Sequence, residues 1–153
     1  MQNLSLKQQF LDRIRLGMDH YHGGKIAVPM TGNIHYCIIA AALSELYGKE
    51  NISAIECPHL ATERTDAMMD TIERFCGEHK VIPITMAAAD MCNELRNAGC
   101  ELFNKTCVTY IVDHLREIVF DILESNGYTL VAPMIWDPSE TCELADAFDI
   151  MHT

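Results

Sequence analysis

Lys25-Ile26-Ala27-Val28-Pro29-Met30-Thr31-Gly32-Asn33-Ile34-His35-Tyr36 holds a strand, a turn and a helix start in one short stretch. Lys25–Pro29 is β-rich, and Met30–Asn33 is a small polar turn. From Ile34 to Tyr47 the chain is apolar all round until Gly48 stops it. A helix without a polar face is a buried one. Outward from there, Asn51–Cys57 reads as a second strand ended by Pro58, and Thr65–His79 as a helix with Met68, Ile72 and Phe75 on one face. Val81–Ile84 reads as a third strand, Ala87–Phe103 as a helix weakened by Gly99, and Asn104–Ser125 as a long helix. Tyr128–Ala132 is a further strand, closed by Pro133. Before the opening stretch, Ser5 and Gln8 form a capping box, and Leu6, Phe10, Ile14 and Met18 give an amphipathic helix over residues 5–19. Alternating strands and helices predict an α/β fold: three layers, with a mostly parallel sheet of about four to five strands flanked by helices. Ligands in such sheets bind beyond the carboxyl ends of the strands. That places the functional region at Pro29–Tyr36, Cys57–Thr65 and Ala132–Glu140.

The 153 residues suit a single domain spanning 1–153, and 49% of them are hydrophobic, enough to exclude a disordered chain. Eleven Lys and Arg against twenty-two Asp and Glu give a formal charge of −11. Phosphate neutralisation needs clustered cations, so nucleic acid and anionic lipid are not expected as direct partners. A basic protein partner fits the charge. The apolar run Cys37–Leu43 is far short of the roughly 20 residues that span a bilayer. Seven cysteines, none spaced C-x-x-C, and an N-terminus unlike a signal peptide point to a reduced, cytoplasmic setting.

Several residues invite chemistry. Thr31-Gly32-Asn33 reads either as an anion cradle of backbone donors or as an ordinary turn with Thr31 or Asn33 as the helix N-cap. His35 reads as a pH-sensitive base or ligand, or as a half-buried polar residue with a partner. His20 and His22 form H-x-H without an evident third metal ligand. Cys37 at a helix start reads as an activated thiol or as a buried apolar one. The stripe Val108, Ile111, Val112, Leu115 and Val119 reads as core or as the seam of a homodimer. The tail over 137–153 carries Asp137, Glu140, Glu143, Asp146 and Asp149 and no Lys or Arg. It reads as a solvated face or as an acidic surface for a basic partner.

The opening stretch resembles the strand, S-G-G-x-D-S loop and helix start of PP-loop ATP pyrophosphatases, and within them is most similar to ammonia-dependent NAD synthetase. Leu46–Pro58, Asp66-Ala67 with Val81–Ile84, and Asn104 with Asn126-Gly127-Tyr128, Ser139-Glu140 and Phe148-Asp149 resemble later segments of that family in order and spacing. The resemblance implies a PP-loop fold, an adenine-nucleotide site at Thr31, Gly32, Asn33, Ile34, His35, Tyr36, Cys57 and Pro58, and magnesium shared by the loop Asp and the "SE" glutamate, here Glu140. It also implies attack of a carboxylate on ATP, and an acyl-adenylate resolved by ammonia.

The sequence departs from that pattern at the chemistry. Asn33 stands for the second Gly, His35 for the magnesium-binding Asp, and Tyr36 for the final Ser. Val108 and Tyr110 stand where the family has two arginines, and the family's C-terminal third has no counterpart here. The expectation is a C-terminally truncated NAD-synthetase-like pseudoenzyme. It would act as a dimeric binding, regulatory or inhibitory protein, of the kind phages and mobile elements carry. The alternatives are an adenine-nucleotide binder holding ATP with Mg, and a residual NAD synthetase.

Overall fold

The computed structural model describes residues 5–56, 64–81, 93, 97, 123–130 and 137–151. Helix α1 (Leu6–Gly17) starts where the Ser5 hydroxyl accepts the Gln8 N–H at 3.1 Å. It buries Phe10, Leu11 and Ile14, the face its i+4 pattern predicts. Strand β1 (Ile26–Pro29) leads through the turn to α2 (Ile34–Tyr47), which buries every residue from Cys37 to Leu43. After a short 3-10 turn over Lys49–Asn51 come β2 (Ile52–Glu56), α3 (Asp66–Phe75) and β3 (Glu78–Val81). Strand β4 (Thr129–Leu130) precedes a 3-10 turn over Pro138–Glu140 and helix α4 (Thr141–Ala147).

All described strand pairs are parallel, in the order β3-β2-β1-β4. The chain steps outward from β1 to β2 to β3, then β4 returns to the other side of β1. The direction of winding therefore changes at β1. In an open α/β sheet the ligand crevice opens at the carboxyl ends beside such a change. Helix α2 packs on β1 and β2, and α1, α3 and α4 pack around α2. Phe10, Ile14, Ile38, Leu43, Ile52, Met68 and Leu144 are fully buried in this layer. No helix among the described residues is long and apolar enough to cross a membrane.

Three expectations change. The predicted helix Thr65–His79 ends at Phe75, and His79 lies in β3. The reason is local: Cys76 turns to extended backbone, and at Gly77 a Cβ would meet the Lys49 carbonyl oxygen at 2.8 Å. Strand β3 begins at Glu78 rather than Val81, and its polar, half-exposed residues hide it from a search for apolar runs. The tail, loosely patterned in sequence, is built into the core through Leu144, Ala145, Phe148 and Ile150. Of the long helix, Leu123–Ser125 are described and helical. Val108, Ile111, Val112, Leu115 and Val119 lie outside the described residues, as do Ile82–Ile84.

Candidate functional site

The turn after β1 sits at the reversal in strand order. Met30 N–H donates to the Ile55 carbonyl at 2.8 Å, so the sheet ladder runs to its entrance. Gly32 has φ +84°, which suits glycine and lets the chain fold back toward α2. The Thr31 hydroxyl accepts the Asn33 N–H at 3.4 Å. Asn33 Oδ1 accepts the His35 N–H at 2.9 Å, and the Asn33 carbonyl accepts the Tyr36 N–H at 3.1 Å. Asn33 is thus the N-cap of α2. Of the two readings of Thr31-Gly32-Asn33, the geometry is that of a capped turn. Three amides that a phosphate cradle would aim outward are bonded within the turn itself.

Ile34, His35 and Tyr36 are half-buried at the start of α2. His35 Nε2 lies 3.5 Å from Thr141 Oγ1, which brings the turn against the start of α4. The neighbouring Glu140 is bonded through Oε2 to Arg13 Nη2 of α1 at 3.4 Å. The two positions that the resemblance assigns to magnesium are therefore adjacent in the fold. Their chemistry does not fit the ion. Magnesium takes oxygen ligands in near-octahedral array. Here one position offers an imidazole, and the other offers a carboxylate already paired with a guanidinium. Among the described residues, no group of three His, Cys, Asp or Glu side chains could hold a metal, so H-x-H at His20 and His22 gains no third ligand. Cys57 and Pro58 lie outside the described residues.

Cys37 is buried, and burial pushes its thiol pKa up, so it is the apolar rather than the activated cysteine. Cys76, also buried, is pushed up to about 12 for the same reason. The tail carboxylates divide. Asp137 caps the Ser139 N–H at 3.0 Å, and that bond holds its carboxyl below the usual range. Asp149, at φ 56°, binds Arg74 through its carbonyl at 2.7 Å and its carboxylate at 3.4 Å. Glu143 and Asp146 are exposed. Two of the five acidic residues are thus bonded to arginines of the same chain.

A second cluster at the carboxyl end of the sheet was not foreseen. Glu56, the last residue of β2, is 2% exposed. Its Oε1 lies 2.8 Å from His79 Nε2, and its Oε2 accepts Arg64 Nε at 2.8 Å. The signal in the sequence was a lone carboxylate closing a mostly apolar run. His79 could not be placed with it while it was read as helical.

Solved structures of similar fold give these features a setting. The NMN synthetase from Francisella tularensis matches with a TM-score of 0.70 at 12% identity, over 97% of this chain and 73% of that one. The NAD+ synthetase from Burkholderia pseudomallei matches with a TM-score of 0.68 at 12% identity, over 95% and 75%. The NH3-dependent NAD synthetase from Campylobacter jejuni, in complex with the nitrate ion, matches with a TM-score of 0.64 at 14% identity, over 94% and 72%. No protein-family model matches the chain, and no curated protein sequence matches it. The architecture is that of the PP-loop NAD synthetases, an α/β fold with a parallel sheet flanked by helices. At these identities the likeness is one of fold.

Proposed function

We propose that this chain is an NAD-synthetase-like pseudoenzyme that works by binding rather than by amidation. The observation that carries the reading is the Arg13–Glu140 pair beside His35. A guanidinium stands where the ancestral chemistry needs a divalent cation, and an imidazole where it needs a second carboxylate. The capped Thr31–Tyr36 turn supports the same reading, because Asn33, His35 and Tyr36 have amides already bonded. The binding role is regulatory or inhibitory. It is carried by a homodimer formed through the Val108, Ile111, Val112, Leu115 and Val119 stripe. The charge of −11 favours a basic protein surface as partner, facing the exposed residues Asp137, Glu143 and Asp146.

The test is pyrophosphate release from ATP with nicotinic acid adenine dinucleotide and ammonia. The expected result is no release above the protein-free rate. Turnover that Glu140→Ala abolishes would overturn the reading. Light scattering during gel filtration tests the dimer, and affinity for a basic partner should fall as salt rises.

A second reading, an adenine-nucleotide binder at the same turn, is favoured by one observation. Gly32 keeps a left-handed turn at the reversal of strand order. Calorimetry with ATP, with and without magnesium, separates it from the first reading.

A further inference from the structure

Glu56 is the least expected residue of the sheet. It sits at the carboxyl end of a strand whose other residues are all buried, three of them apolar. Taking a carboxylate out of water costs several kcal/mol, and a buried ion pair is often no more stable than apolar side chains of the same volume. Stability alone therefore gives a weak account of it. Its two oxygens are both engaged, Oε1 with His79 and Oε2 with Arg64. His79 stands opposite Ala54 in the β2–β3 register, two residues before the position facing Glu56. It reaches the carboxylate diagonally across the same face of the sheet. The carboxylate is thus fixed from one side by a strand and holds an arginine on the other.

What it holds is not itself buried. The Arg64 side chain is 55% exposed, and it is bound to Glu56 through Nε. Among the described residues its two terminal nitrogens have no hydrogen-bond partner. A guanidinium bonded through Nε to a buried carboxylate has lost most of its rotational freedom, and more than half of the Arg64 side chain still meets solvent. That is the preorganised fork that binds an oxyanion with two parallel bonds. It stands immediately before α3, beyond the carboxyl end of β2, on the side of the sheet where open α/β folds take their ligands.

We infer that Arg64 is an oxyanion-binding residue for a phosphate or pyrophosphate group, with Glu56 and His79 as its positioning residues. This goes beyond the binding role proposed above: it adds a small anionic ligand, at a place separate from the acidic surface offered to a basic partner. It uses neither the Thr31–Tyr36 turn nor a metal.

The experiment is calorimetry of the full chain with inorganic pyrophosphate, without divalent cations and at low salt. ATP and AMP in parallel arms tell a nucleotide's phosphate from a free one: a nucleotide ligand binds tighter than pyrophosphate, a free one does not. Wild-type protein should bind saturably, and Arg64→Gln should weaken binding at least about tenfold. Arg64→Lys, which keeps the charge and loses the fork, should fall between them. Arg15→Gln, the loss of an exposed cation on α1, should leave affinity within about twofold. Glu56→Gln and His79→Gln should each weaken binding several-fold. His79→Gln leaves the carboxylate and Arg64 in place, so it serves if Glu56→Gln fails to fold. A purely structural role for the cluster would move the melting temperature and not the affinity. No saturable heat up to about 10 mM ligand, or equal affinity in Arg64→Gln, overturns the inference. Neither outcome bears on pyrophosphate release, so the two readings fail separately.

Discussion

Glu78 ties the amino ends of four strands together, and removing its charge should be costly in a pH-dependent way. Its Oε2 accepts Lys25 Nζ at 2.5 Å, Ser53 Oγ at 2.8 Å and the Tyr128 hydroxyl at 3.2 Å. Lys80 Nζ lies 3.4 Å from Oε1. Lys25 precedes β1, Ser53 lies in β2, and Tyr128 precedes β4. The hydrogen bond from Lys25, with those from Ser53 and Tyr128, lowers the Glu78 pKa from 4.5 to about 2. At about 1.36 kcal/mol per pH unit the difference is at most about 3.4 kcal/mol. The side chain is 23% exposed, and solvent screening reduces the figure to about 1–2 kcal/mol. A depressed acid stabilises the fold fully above its unfolded pKa, and that contribution is lost as pH falls through the folded one. Glu78→Gln should therefore cost about 1–2 kcal/mol in urea unfolding at pH 7, and the gap to wild type should close between about pH 4.5 and pH 2. A gap of the same size at pH 2 and pH 7, or none at pH 7, would refute the argument.

Further substitutions test other joints of the structure. Gly77→Ala should destabilise by about 1–3 kcal/mol in the same unfolding assay, because the new Cβ meets the Lys49 carbonyl oxygen at 2.8 Å and Glu50 Cα at 2.9 Å. Asn33→Ala removes the cap of α2 and should cost about 0.5–2 kcal/mol, whereas Asn33→Asp should cost far less. Phe10→Ala empties a fully buried site against Phe148 and should cost about 3–5 kcal/mol by thermal or urea unfolding. Arg13→Gln breaks a pair whose members are 40% and 31% exposed, so its stability loss should stay below about 1 kcal/mol. A larger loss would mean that the pair anchors α4 to α1.

The fold was legible because its signals are redundant. The apolar stretch from Ile34 to Tyr47 is too long for a typical strand and reads as a buried helix, and the β-rich segments on either side of it run parallel. The i+4 ladder of Leu6, Phe10, Ile14 and Met18 fixed α1 in the same way. Strand β3 was misplaced because its residues are Glu, His, Lys and Val, with three of the four exposed. Its place comes from the ladder with β2 and from the tight passage at Gly77, neither of which leaves a mark in local hydropathy. The tail misled for the opposite reason. Its acidic residues dominate the composition, while Leu144, Ala145, Phe148 and Ile150 are few but all buried. The turn at Thr31–Tyr36 was legible because glycine and polar residues punctuate the passage from β1 to α2. The Glu56–Arg64–His79 cluster was not found, because the sheet register brings His79 of β3 to Glu56 of β2 while Arg64 reaches Glu56 from just before α3.

Two carboxylates at the carboxyl side of the sheet are each bonded to an arginine, and the two pairs differ in burial and in what they leave exposed. Glu140 and Arg13 are both partly exposed, with a contact of 3.4 Å. Such a pair contributes little energy, and it leaves Glu140 engaged with Arg13. Glu56 is buried, with contacts of 2.8 Å on both oxygens, and its arginine remains largely in solvent. The first arrangement withdraws a charge from the site, and the second presents one. On the inference drawn above, the fixed guanidinium of Arg64 is the group that holds an anion, and the Arg13–Glu140 pair takes no part in it.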